Sequence, residues 1–201
     1  MRLITDAKIA PEPKPVKAPK VAKPAPPPKV PKPLPVINNA PTQKLDIWVF
    51  GEGSSGELGL GSKKLDRKKP IDVKRPRYNP LLSAKDIGVV QISVGGMHCA
   101  ALTHDNKILT WGVNDNGALG RDTNWDGGLV DLDKAEDEDS DDEDSDDTGV
   151  NPKESTPTEV DMSYFPANAK FTQVVTSDSA TFVLTDGGLV YGWGQFRVSD
   201  T

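Results

Sequence analysis

Large apolar residues fall in short runs between residues 47 and 193: "IWVF" (47–50), "VQISV" (90–94), "CAAL" (99–102), "ILTW" (108–111), "FTQVV" (171–175), "TFVL" (181–184) and "LVYGW" (189–193). Val, Ile, Thr and aromatics dominate them, the composition that fits a pleated, half-buried surface. Between neighbouring runs stand "HDN" (104–106) and "DGG" (186–188), residues suited to hairpin turns. No stretch carries a helical apolar stripe with caps at its ends. The pattern predicts an all-β body of antiparallel strands.

The strands recur in register with glycines. "VFGEGSSGELGLG", from Val49, aligns with "TWGVNDNGALGR", from Thr110, so that Gly51, Gly56, Leu58 and Gly59 match Gly112, Gly117, Leu119 and Gly120 at an offset of 61. "VGGMHCAALTHDNKILTWG", from Val94, aligns with "TSDSATFVLTDGGLVYGWG", from Thr176, and Thr103, Trp111 and Gly112 match Thr185, Trp193 and Gly194 at an offset of 82. Units of this length, each built from several short antiparallel strands, predict propeller blades. The repeated glycines are expected to permit tight turns and close approach between blades. Trp48, Trp111 and Trp193 are expected to pack within blades, with Trp125 in a loop.

Two opposite charge blocks flank or interrupt this body, so the formal net charge of −6 says little about partners. Residues 1–43, with "PEPKPVKAPKVAKPAPPPKVPKPLPV", have too much proline for helix and too few large side chains for a core, and predict a disordered, basic Lys/Pro-rich tail. Prolines that space lysines give charge without base-reading geometry, so any contact with nucleic acid would be salt-sensitive and sequence-blind. The body, 44–201, contains an acidic insertion at 131–150, expected to be disordered, whose run "DLDKAEDEDSDDEDSDD" (131–147) has no apolar anchor. It lacks the glycine register of a calcium loop, and no metal site is expected. Ser140, followed by Asp141, Asp142 and Glu143, resembles an acidophilic kinase site. Cys99 is the single cysteine, which excludes a disulfide framework and suits a reducing compartment. No stretch approaches a membrane span or the apolar core of a signal peptide, so the chain reads as soluble and intracellular.

"GEGSSG" (51–56) matches the dinucleotide fingerprint, yet no helix or βαβ unit follows and the aligned copy at Gly112 lacks the middle glycine, which argues against a nucleotide site and leaves no cofactor expected. No Ser/His/Asp or paired-carboxylate arrangement emerges from the two histidines, His98 and His104, and one cysteine. At "GELGLG" (56–61), "RKKP" (67–70), "VGGMHCAALT" (94–103), "GALGRDT" (117–123) and "WGQFR" (193–197) the chain resembles the regulator of chromosome condensation family, particularly its fungal nuclear exchange factors for the small GTPase Ran. The resemblance covers roughly residues 45–201 outside the acidic insertion.

That resemblance implies a seven-bladed β-propeller, of which this chain would supply about the first two and a half to three blades. It implies a guanine nucleotide exchange factor that stabilises the nucleotide-free GTPase without bond-breaking chemistry or a small-molecule substrate, located in the nucleus on chromatin, with nucleosome, histones or DNA reached by the tail. His98 and Asp178 would align with positions on the GTPase-facing side. Arg197 would open the projecting wedge into which "GWGQFRVSDT" runs. His98 and Asp178 also have structural readings, as a hydrogen bond within a blade and as a turn cap. Ser177 and Ala180 stand where the second unit has Gly95 and His98, and Ser54 stands where family members often carry an acid. A non-exchanging propeller scaffold is the alternative, since fold does not decide function. An open partial ring exposes strand edges, so the chain alone is expected to exchange weakly.

Overall fold

In a computed structural model of the chain, residues 34–127 and 148–196 are described, all within the compact unit Leu34–Thr201. Among the described residues nine strands form three antiparallel sheets. The first pairs β1 (Trp48–Gly51) with β2 (Val73–Tyr78); the second has the order β3 (Val89–Val94), β4 (His98–Thr103), β5 (Ile108–Gly112), β6 (Thr158–Glu159); the third runs β7 (Phe171–Thr176), β8 (Ala180–Thr185), β9 (Val190–Gly194). The only α-helix among the described residues is one turn, α1 (Pro152–Ser155), opened by Asn151, whose side chain accepts from the Lys153 N–H.

The second sheet is the complete four-stranded unit and sits between the other two. All six residues of β4 are buried because both its faces are covered. Cys99 and Ala101 point to a cluster with Ile47, Leu82, Val89 and Trp111, whereas Ala100 and Leu102 join Ile108, Phe171, Val174 and Val183 towards the third sheet. Small side chains in "CAAL" let both neighbours approach closely. Adjacent sheets are tied at an offset of 83: the Val174 N–H donates to Gln91 Oε1 at 2.9 Å and the Thr176 N–H donates to Ser93 Oγ at 2.9 Å. Equivalent inner strands therefore lie side by side, one residue out of repeat register.

The hairpin turns repeat a threonine lock. Lys107 N–H donates to Thr103 Oγ1 and Leu189 N–H donates to Thr185 Oγ1, each at 3.0 Å. Asn106, in the left-handed region at φ 68°, then grips the next sheet: its Oδ1 accepts from Phe171 N–H at 2.7 Å and its Nδ2 donates to the Ala169 carbonyl at 2.9 Å.

Residues 34–43, grouped by composition with the basic tail, include contacts with the body. The Ile37 N–H donates to the Asp186 carbonyl at 2.7 Å, and Asn38 Nδ2 donates to Thr185 O at 3.4 Å. "LPVINN" carries Leu, Ile and Asn side chains, none of which occurs in residues 11–33. The rest of that tail, most of the acidic insertion with Ser140, and Arg197 lie outside the described residues.

Candidate protein-interaction face

The repeated glycine turns build a joint between sheets. Gly59 N–H donates to Gly56 O and Gly120 N–H donates to Gly117 O, both at 3.0 Å, so the two turns have the same fold. Each turn presents a backbone carbonyl to the tryptophan of the next sheet: Trp111 Nε1 donates to Glu57 O at 3.0 Å, and Trp193 Nε1 donates to Ala118 O at 2.9 Å. Glu57 and Ala118 are themselves separated by the repeat offset of 61. Gly59 (φ +64°) and Gly120 (φ +66°) lie under those indoles, where an added Cβ would stand 2.7 and 2.6 Å from Nε1. Leu58 and Leu119 fill the space behind the turns.

Trp48 departs from the expected packing. At the offset of 61 it is Phe50 that matches Trp111, and both Trp48 and Phe50 are exposed, at 60% and 66%. Trp48 instead makes an edge contact with Tyr78 across β1 and β2. No described glycine turn precedes it to accept an indole hydrogen bond.

At one end of the sheets, the β3–β4 turn (Gly95–Met97) meets the β7–β8 turn (Ser177–Ser179), with the Gly96 N–H donating to Ser177 O at 3.3 Å. The strand ends beside them repeat as well: the Val113 N–H donates to Met97 O at 3.0 Å and the Gln195 N–H to Ser179 O at 2.9 Å. Asp178 is exposed on this end and lies over Gly96, which has no side chain to obstruct it. Met97 is also exposed, at 51%. The end thus presents a carboxylate and a thioether on turns fixed by backbone bonds.

His98 belongs to the same segment but not to its surface. Its side chain is 1% exposed, and Nε2 lies 2.9 Å from Thr181 Oγ1, whose hydroxyl donates to the Ala118 carbonyl at 2.9 Å. Burial pushes the imidazole below its ordinary pKa, opposed by the Asp178 carboxylate and the Ala180 backbone. The hydrogen bond expected within a blade runs between sheets instead: through Thr181 the ring ties the second sheet to the third, at the Ala118 carbonyl shared with Trp193. The sequence motif located the segment; only packing shows that the ring points between sheets.

The glycine-rich loop "GEGSSG" is occupied by the chain's own acid. Gly53 N–H and Ser55 N–H donate to the two carboxylate oxygens of Glu57, each at 3.0 Å. These are amides that a phosphate-binding loop would keep for its ligand. Sequence reading passed over Glu57, whose side chain fills this loop and whose carbonyl receives Trp111. It also passed over Asn79, which is fully buried and donates to the carbonyls of Leu58 and Gly59 while accepting from the Leu81 N–H. The dipeptide Asn79–Pro80 was the available signal, since Asn before Pro favours turn initiation.

Stacked blade-like sheets, joined indole to carbonyl through a repeated glycine turn, define a partial β-propeller of glycine-turn repeats. The Regulator of chromosome condensation (RCC1) repeat matches residues 46–102, and a second form of it matches 89–118. The chain belongs to this repeat family. It is 41% identical over 194 residues to Protein pim1 of Schizosaccharomyces pombe, covering 96% of this chain and 30% of pim1. Against the Guanine nucleotide exchange factor SRM1 of Saccharomyces cerevisiae it is 43% identical over 165 residues, 79% of this chain and 32% of SRM1. Among solved structures it resembles yeast RCC1 (Prp20) bound to Kap60, with TM-score 0.61 and 35% identity over 82% of this chain and 31% of that one. A second structure of Prp20p, described with its binding properties to Gsp1p and histones, gives a TM-score of 0.59 at 35% identity, covering 81% of this chain and 31% of that one. The chain spans about a third of the length of these relatives.

Proposed function

We propose that this chain forms part of a guanine nucleotide exchange factor for a Ran-type small GTPase. The observation that carries the reading is 43% identity over 165 residues to a relative named as an exchange factor. An exchange factor needs no bond-breaking group. It must bind the nucleotide-free GTPase more tightly than the loaded one, and linkage then requires that it weaken nucleotide affinity by the same factor.

In this reading Asp178 and the Gly95–Met97 turn offer contacts at one end of the propeller, His98 holds that end in place from beneath, and Arg197 contributes from the segment after β9. The basic tail attaches the protein to nucleosomes, through histones or DNA, and the site of action is nuclear chromatin. Supporting this are the relative whose description couples Gsp1p with histones and the lysine-rich composition of residues 1–33.

The test is differential binding. Residues 46–196 are grafted into the matched stretch of SRM1, and the chimera is titrated against Ran stripped of nucleotide and against Ran loaded with GDP. An exchange factor prefers the stripped form by tenfold or more, about 1.4 kcal/mol of coupling. Equal affinity for both forms assigns the chain to a non-exchanging scaffold. The chain alone is expected to show little of this preference, since the remaining blades supply much of the face.

A further inference from the structure

The loop and strand at residues 63–77 hold eight cations, Lys63, Lys64, Arg67, Lys68, Lys69, Lys74, Arg75 and Arg77, with Asp66 and Asp72 as the only acids. Lys63, Arg67, Lys68, Lys69, Lys74 and Arg75 are exposed. Among the described residues the ion pairs are those of Lys107 with Asp105 and Glu159, so none of these six has a described carboxylate partner. Six such cations within thirteen residues repel one another, an arrangement that a polyanion relieves.

The segment is also held in shape. Leu65 and Lys68 form an isolated antiparallel bridge, closed by Asp66 and Arg67 in the left-handed region at φ 51° and 61°. Non-glycine residues held there carry strain, which concentrates at functional turns. Arg77, from β2, donates from its guanidinium to Lys69 O at 2.6 Å and Lys68 O at 3.3 Å. One cation thus braces the turn that projects the others. Turn and strand border a cleft of about 960 Å³ lined in part by Lys68, Lys69, Lys74 and Arg75.

We propose that this surface is a sequence-blind docking site for the phosphate backbone of nucleic acid, on the folded body and separate from the tail. Guanidinium and ammonium groups suit phosphate oxygens. No helix stands here to enter a groove and read base edges, so the contacts would position rather than specify. An acidic protein partner fits less well, because Leu65 is the only exposed large hydrophobic in 63–75 and protein interfaces centre on apolar or aromatic anchors. The proposal stands independently of nucleotide exchange, since its readout involves no GTPase.

The experiment uses chain 1–201 and fluorescein-labelled 20-base-pair DNA duplexes of two unrelated sequences, with anisotropy read across a salt series. Both duplexes are expected to bind alike. The triple variant Lys68→Gln, Lys69→Gln, Arg75→Gln is expected to flatten the log–log salt slope by about 2 to 3, at about 0.9 for each phosphate that is no longer neutralised. An unchanged slope and affinity would assign all binding to the tail and overturn the proposal. Lysine acetylation of the wild-type chain reads the same surface without relying on the variant's folding: DNA should protect Lys68, Lys69 and Lys74 but not Lys170, and equal reactivity of all four would overturn it. So would a poly-glutamate peptide that protects these lysines where the duplex does not.

Discussion

The joint between sheets makes a specific prediction at Gly59. Substitution by alanine puts a Cβ 2.7 Å from Trp111 Nε1 and 2.8 Å from Cδ1, on an indole that is 1% exposed and bonded to Glu57 O. Three costs arise. A side chain at φ +64° costs about 1 to 2 kcal/mol, and overpacking adds about 1 to 3 kcal/mol. If the indole yields, its hydrogen bond goes too, for about 1 kcal/mol. Relief of one cost raises another, so a net loss of about 3 to 4 kcal/mol is expected, a large share of the roughly 5 to 15 kcal/mol that stabilises a typical domain. Gly117→Ala supplies the control. It has a similar φ of +75° but nothing within 4 Å of the new Cβ, so about 1 kcal/mol of strain is expected alone. Urea unfolding of chain 1–201, followed by fluorescence of the buried indoles, measures both. Losses equal within about 0.5 kcal/mol would show that backbone conformation, not the indole joint, is the reason for glycine at 59.

His98 has a folded-state pKa below its ordinary value, so above about 6.5 it contributes no pH dependence, while below that the unfolded chain binds the proton more readily and stability falls until the folded pKa is passed. His98→Gln should therefore lose less stability than the wild type between about pH 7 and pH 5; parallel curves would contradict the buried neutral ring. The Cys99 thiol is pushed up to about 12 by burial and by Glu57, so at about pH 8 it should react with an aromatic disulfide reagent only after urea unfolding. Rapid reaction in the native chain would contradict the packing of β4.

β3, β4, β5, β7 and β8 were legible because they bury apolar residues, and buried faces leave those residues in short runs. β2 was not. "VKRPRY" is polar and carries Pro76, which an outer strand tolerates because one edge needs no ladder partner. β6 has two residues and no pattern to read. Gly59 and Gly120 were visible as repeated glycines, but their task depends on Trp111 and Trp193 reaching back to carbonyls 54 and 75 residues away in sequence. Asp178 and His98 were found together by alignment. Their separation into an exposed carboxylate and a buried ring depends on neighbouring sheets, through Thr181 and Gly96, and strand periodicity carries no record of that.

The central claim is that the end bearing Asp178 acts on a GTPase. Its most direct measurement is the rate of fluorescent GDP release from Ran, driven by the SRM1 chimera that carries residues 46–196, with Asp178 intact or changed to lysine. Charge reversal at an exposed turn should leave the unfolding midpoint in place, so that any loss of rate reports on the interaction with the GTPase rather than on folding. Release accelerated well above the intrinsic rate by the first protein, and slowed tenfold or more in the second, is the predicted result. Release no faster than intrinsic with a folded chimera, or acceleration indifferent to Asp178→Lys, would contradict it.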